Sequence, residues 1–241
     1  MKKKFVLGFV LCLMAAVSNA QVTAVVSSIG ANKNLVMGSG IEDVALTIQS
    51  ISSDKFNTLD EVSKIKNFIL NELSKDFPFT IVPESDALAN ENYQTYVKET
   101  NAKGLLALSK VATEREVPEG YLTYPVNPAE VLGYFNGANA VMSINVSISL
   151  EPTVLINKNG SAKAKIYVTI ELVNPKSKSL MRISAAGTSE QSFGILAGQI
   201  VKNRDNIPSA LVEASDDLFK EMREKLPKAI KKFEKKLEKY K

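Results

Sequence analysis

The chain has 241 residues, of which 45% are hydrophobic and 23% charged, with a formal net charge of +4 and a mean hydropathy of −0.03. A chain of this size can bury an adequate core as one or two domains. It has no histidine and one cysteine, Cys12, so the commonest general base, the usual zinc ligands and any thiol nucleophile beyond residue 12 are missing.

The first 20 residues, MKKKFVLGFVLCLMAAVSNA, read as a secretory signal. Lys2, Lys3 and Lys4 form a positive start, and Phe5 to Val17 form an apolar run too short to span a bilayer as a helix. Ser18 and Ala20 place small residues where a signal peptidase reads them, so cleavage is expected after Ala20. Leu11 precedes Cys12, which lies inside the apolar run, so the pattern for lipid attachment is not met. The chain after the cut holds no cysteine and forms no disulfide.

Without Lys2, Lys3 and Lys4 the balance is 27 basic to 26 acidic residues. It is uneven, because residues 220–241 carry ten Lys or Arg against four Glu. A basic tail on a mildly acidic body does not fit a nucleic-acid binder.

Gln21 to Ile29 reads as a short strand or a leader, and 21–40 is taken as leader and linker. Val44, Leu46 and Ile48 alternate as in a strand. A helix is predicted over 59–75, with Val62, Ile65, Phe68, Ile69 and Leu73 as its buried stripe. Phe79 to Val82 reads as a short buried strand. Ser85 is expected to cap a helix running to about Val97, and a second helix covers about 102–113.

Three prolines and a glycine break 117–128 into a loop, and Asn127-Pro128 starts a short helix ending at Gly137. Met142, Ile144, Val146, Ile148 and Leu150 then alternate with polar residues, as do Ala164, Ile166, Val168, Ile170 and Leu172. With Leu180 to Ser189 they make an antiparallel meander over 141–189. Residues 190–206 read as a mobile, glycine-containing segment. Pro208 opens a long helix with an apolar stripe from Leu211 to Leu237, which Pro227 is expected to kink or split.

The fold class is therefore α+β, an α/β sandwich. A mixed, largely antiparallel sheet carries helices on one face and ends in a long carboxy-terminal helix. The divisions are a signal at 1–20, a leader at 21–40, a domain at 41–226 and a basic amphipathic tail at 227–241.

No catalytic constellation stands out. Asp216 and Asp217 are adjacent, so on a helix they point about 100° apart. Ser52 with Lys55 and Ser63 with Lys66 have Ser-x-x-Lys spacing, but no SDN or KTG element accompanies them. Gly38-Ser39-Gly40 lacks the rest of a phosphate loop. The chain is read as non-catalytic, without cofactor or metal.

Two features offer binding. Tyr121 and Tyr124 sit on a proline-stiffened loop, flanked by Tyr134 and Phe135, and these four are the candidate partner-binding residues. Ile230, Phe233 and Leu237 line one face of the lysine-rich tail, which suits either peripheral membrane contact or packing on the body.

The order of a helix, FTIVPESDAL and then NGANAVMSINVSIS resembles the domain shared by the curli secretion-channel (CsgG) family, the activator LpoB and the TolB amino-terminal domain. Phe79, Ile81, Val82 and Leu88 match its first strand pattern, and Gly137, Ala138, Asn139 and Val141 match the entry to its central strand. The resemblance covers about residues 41–225. It implies a periplasmic α/β scaffold without catalytic residues. Channel and activator members are lipoproteins, and this chain lacks the acceptor cysteine. The expectation is an exported protein, periplasmic or peripherally attached to the outer membrane. It binds or scaffolds one or more envelope proteins, with homo-oligomers as a further arrangement and no nucleic acid. A secretion-channel subunit and a Ser-Lys hydrolase are the alternatives.

Overall fold

The computed structural model describes residues 21–32, 36–37, 58–108, 115–157, 159–196 and 199–238. Its elements are β1 (Thr23–Asn32), β2 (Val36–Met37), α1 (Thr58–Asn71), β3 (Thr80–Ile81), α2 (Glu84–Ala89), α3 (Glu91–Leu108), β4 (Arg115–Glu116), α4 (Pro128–Leu132), β5 (Ala140–Ile156), β6 (Asn159–Val173), β7 (Ser179–Leu196), β8 (Gln199–Lys202) and α5 (Ile207–Glu238). They form one mixed sheet in the order β3-β1-β5-β6-β7-β8, with β2 beside β5 and β4 beside β1. The strand expected at Val44 to Ile48, Gly38 to Gly40, and the Ser52/Lys55 pair lie outside the described residues.

The meander is present and longer than its alternation suggested. β5, β6 and β7 pair antiparallel over nearly their whole lengths. Ile144, Ile148, Leu150, Ala164, Ile166, Val168, Ile170 and Leu172 are all buried on one face. The expected mobile segment at 190–206 instead continues β7 to Leu196 and adds β8, a short outer strand.

The segment taken as leader holds β1, an interior strand lying parallel to both β3 and β5. Its run of Ala24, Val25 and Val26 is buried on both sides, which explains why it shows no clean alternation. Asn139 sets its register: the side chain accepts from the Thr23 N–H at 2.9 Å and donates to the Gln21 carbonyl at 3.2 Å. Gly137, at φ +87°, supplies the left-handed turn that brings Asn139 there.

Helices α1 and α5 cover the long face of the sheet. The five residues of the predicted stripe are buried, but α1 ends at Asn71 and Leu73 lies in a 3-10 turn that follows it. Phe68 stacks on Phe219 of α5 at 4.0 Å, and the buried Ser215 hydroxyl of α5 donates to Glu61 of α1. Helix α5 is continuous through Pro227 for 32 residues. The ring lies on the exposed side, while Leu226, Ala229 and Phe233 continue the buried stripe beyond it. The basic tail is thus the last part of a body helix. Ile230, Phe233 and Leu237 pack on the core, so its apolar face is occupied.

At Gly187 the backbone of α5 lies against β7. A Cβ there would stand 1.9 Å from the Ala214 carbonyl oxygen and 2.3 Å from the Leu218 nitrogen. The same helix closes the free edge of β7. The Glu213 carboxylate accepts from the N–H groups of Glu190 (3.0 Å) and Gln191 (3.1 Å), and Asp217 accepts from Thr188 N–H at 3.0 Å. Glu221 accepts from Ala186 N–H, and Lys225 donates to the Ser184 carbonyl at 2.8 Å. These helix positions are four apart, one turn each, so a single row of side chains caps alternate backbone groups of the strand.

A second, smaller cluster lies on the opposite face of β1 and β5. It packs Val25 and Val141 against Tyr93, Val97, Leu122, Val131 and Phe135. Helices α2, α3 and α4 supply most of it, so this end of the sheet is covered on both sides. The helix expected from Ser85 is broken at Asn90, whose side chain accepts from Tyr93 N–H and caps α3. The Ser85 hydroxyl bonds Asp86 instead. The two helices expected at 85–97 and 102–113 thus divide at 90, and α3 bridges the gap between them to Leu108. Asn127 caps α4 as expected, accepting from Ala129 N–H at 3.1 Å, and α4 ends at Leu132 with Gly133 as its cap.

Two outcomes follow. Gly187→Ala forces α5 off the sheet and should cost about 3 kcal/mol, lowering the melting temperature by roughly 6–12 °C in a calorimetric scan. Backbone and side-chain bonds from Gln191 hold the Glu213 pKa below its usual value. For Glu221, burial pushes upward but is outweighed by Lys225 and the Ala186 N–H, so its shift is also downward. Stability from a lowered carboxyl pKa is complete above the unfolded value, about 4.5, and is lost as pH falls through the folded values. Denaturant titrations should show the Glu213→Gln/Glu221→Gln variant less stable at pH 7 and less sensitive to acidification than the parent; equal slopes would rule out this role.

Candidate functional site

The loop at 117–128 folds inward at Tyr121. Its ring is 4% exposed, and its hydroxyl donates to Glu84 Oε1 at 2.7 Å. Lys66 of α1 donates to the same oxygen at 2.6 Å, with its ammonium 5.8 Å from the Tyr121 ring centre. Asn101 of α3 holds the loop from behind, donating to the Tyr121 carbonyl at 2.9 Å and accepting from Thr123 N–H. Burial and then Glu84 push the Tyr121 pKa strongly up, so the phenol stays protonated. Burial pushes Glu84 upward, but the Lys66 ammonium and Tyr121 hydroxyl outweigh it and the net shift is downward. Glu84 is thus held as an anion and Tyr121 as a neutral donor.

Beside them a cleft of about 580 Å³ runs between the end of α1, β3 and the start of α2, lined by Phe77, Phe79, Ile81, Lys75 and Tyr121 among others. Lys66, one turn after Ser63, is turned toward Glu84. Asp217 faces the β7 backbone, as described above, and does not share a site with Asp216.

The other three predicted residues lie elsewhere. Tyr124 is half-buried beneath the Arg115 guanidinium, 4.9 Å from the ring centre. Arg115 in turn donates to the Gly30 carbonyl at 2.6 Å and to Asn145 Oδ1 at 3.2 Å, which ties β4 to β1 and β5. Phe135 is buried edge-on against Tyr93 at 4.9 Å. Tyr134 is half-buried beside Tyr96 at 5.3 Å. Burial and a bond to Glu130 push the Tyr96 pKa up to about 12. The expected quartet is therefore not one exposed patch. Tyr121 and Phe135 are interior because aromatic area beside a sheet lowers the free energy more when removed from water than when left exposed.

An open surface exists on the other side of the meander. The face of β5-β6-β7 turned away from α5 carries the rows Asn145–Thr169–Ser184, Ser147–Tyr167–Ala186 and Ser149–Lys165–Thr188. Tyr167 stands in the middle, 42% exposed. Bonds to Ser184 and Thr169, followed by the nearby Arg182 and Lys225 charges, lower its phenol pKa. Sequence reasoning missed Tyr167 although the alternation of β6 already assigns it to the polar side with Lys165 and Thr169.

No family model and no curated protein matches this chain. Among solved structures it is similar to lipoprotein GNA1162 of Neisseria meningitidis, at 15% identity and TM-score 0.36, over 81% of this chain and 95% of that one. It is also similar to the hypothetical protein CT253 of Chlamydia trachomatis, at 10% identity and TM-score 0.38, over 87% of this chain and 97% of that one.

Tyr121→Phe removes a buried bond to a charged acceptor and should cost about 1–2 kcal/mol in urea unfolding. Tyr124→Phe, which keeps the ring under Arg115, should leave stability unchanged within about 0.5 kcal/mol.

Proposed function

We propose that the protein is an exported, non-catalytic module of the cell envelope that binds or scaffolds a protein partner, a divergent relative of the CsgG/LpoB/TolB-type domains. The observation that carries this reading is the open polar face around Tyr167. It is backed by the core and combines an aromatic ring with serine, threonine, asparagine, Lys165 and Arg182. Aromatic residues and arginine on a rigid scaffold contribute contact energy with little ordering cost. Beside the cleft, Glu84 is engaged by Lys66 and Tyr121, which supports placing the contact on the sheet face. Among the described residues no helix is long and apolar enough to cross a membrane. Export rests on the pattern of residues 1–20.

A secretion-channel subunit is the second reading, supported by the lengths of β5 and β6, 17 and 15 residues. A spanning strand takes about 9–11 residues. Ala162 to Leu172, however, are fully buried at the alternate positions that would have to face lipid.

The test is fractionation of cells expressing the full chain, with a photo-crosslinking residue at position 167. Osmotic shock should release a protein that begins at Gln21 and crosslinks to one or two envelope proteins from 167 but not from 212 on α5. Retention in the cytosol with residues 1–20 intact would overturn export. A self-crosslinked ladder released only by detergent would favour the channel instead.

A further inference from the structure

We propose that the far end of the sheet, on the outer face, is a contact surface for a lipid bilayer bearing anionic headgroups, formed by Val154, Ile156 and Leu196. These are exposed by 56%, 69% and 57%. Pairing across the strands puts them together. One row runs Val154–Ser161–Gly194–Lys202, and the next runs Ile156–Asn159, with Leu196 beside Gln199. Directly paired residues share a face, so all three apolar side chains project from the same side at the end of the β5–β6 hairpin. Alternation alone does not predict this. A register shift between Pro152 and Val154 moves the even positions of β5 from the core face to the outer face. Between this end and the second cluster at Val141, the outer face of β5 is polar, with Ser143, Asn145, Ser147, Ser149 and Glu151.

Three arguments choose the occupant. The first is charge. Lys202 stands in the row of Val154, and Lys163, whose charge also acts on Glu213, is one row behind, while Glu151 is already paired with Lys165 at 2.7 Å. An apolar rim with a lysine collar suits the boundary between acyl chains and anionic headgroups.

The second is area. The three side chains expose roughly 300 Å², whereas a stable dimer buries about 800 Å² on each partner. A second copy would be held too weakly. A bilayer needs no matching surface, and modest apolar area yields a reversible association.

The third is depth. The two outer rows extend about 7 Å along the strands, which is an interfacial depth and not a transmembrane one. The other candidate for lipid contact, the basic end of α5, has its apolar residues committed to the core. This inference does not depend on export or on a protein partner.

The chain contains no tryptophan, so one introduced indole reports its own surroundings. Ile156→Trp, Leu196→Trp and, as a control on the exposed face of α5, Val212→Trp would be purified from cells expressing the full chain. They would be mixed with vesicles of phosphatidylethanolamine containing phosphatidylglycerol. The expected result is a blue-shifted emission for the first two and none for the third, weakened by added salt. Val154→Ser/Ile156→Ser/Leu196→Ser should partition onto the same vesicles roughly tenfold less. Unchanged emission from Ile156→Trp in the presence of vesicles overturns the proposal, as does an equal shift for Val212→Trp. A blue shift without vesicles that grows with protein concentration, together with a doubled sedimenting mass, would show a second copy on this surface and overturn it as well.

Discussion

The fold depends on a close approach of α5 to β7. Where Gly187 meets Ala214 and Leu218 there is no room for a side chain, and helix backbone rests on strand backbone. That distance lets short and medium carboxylates of α5 reach around the strand. Glu213, Asp217 and Glu221 can then bond the outward N–H groups of β7. The stripe of α5 from Ile207 through Leu211, Leu218 and Leu226 to Phe233 is simultaneously drawn into the core. One contact therefore sets both the seating of the helix and the protection of a long sheet edge that would otherwise invite pairing with another chain.

The opposite edge is managed differently. β3 is only two residues long and lies between Pro78 and Pro83, which cannot donate to a ladder. With α1 and α5 on one face and α2 to α4 across part of the other, much of the outer face of β5, β6 and β7 remains open. The open part consists of the polar rows around Tyr167 and the apolar end at Val154, Ile156 and Leu196. Both belong to the same outer face, so a bilayer at the end and a protein along the length can be engaged by one rigid sheet.

The tyrosines illustrate how local reasoning and packing diverge. A proline-stiffened loop bearing Tyr121 and Tyr124 has the composition of a recognition loop. In the folded chain the loop instead fastens three helices to the sheet: Tyr121 to α1 and α2 through Lys66 and Glu84, and Thr123 to α3 through Asn101. Its rigidity serves the scaffold. Tyr167 occupies an ordinary strand, yet among the described residues it is an exposed ring, because α1 and α5 lie on the other face and α2 to α4 cover this one only over the end near Val141.

Periodicity by itself determined the meander, the α1 stripe and the long carboxy-terminal helix, because each depends on which residues repeat along one face. The Gly137-Ala138-Asn139 entry was visible only as part of the family resemblance; the left-handed turn and the Asn139 clamp come from the folded chain. Four other things were decided only in three dimensions. β1 is interior, since a strand buried on both faces loses its alternation. Pro227 does not end α5, since the ring faces solvent while Ala229 and Phe233 stay in the core. The acidic row of α5 is an edge cap, since its partners are backbone groups that no sequence pattern displays. The apolar end of β5 faces outward, since a single shift in register reverses every side chain beyond it.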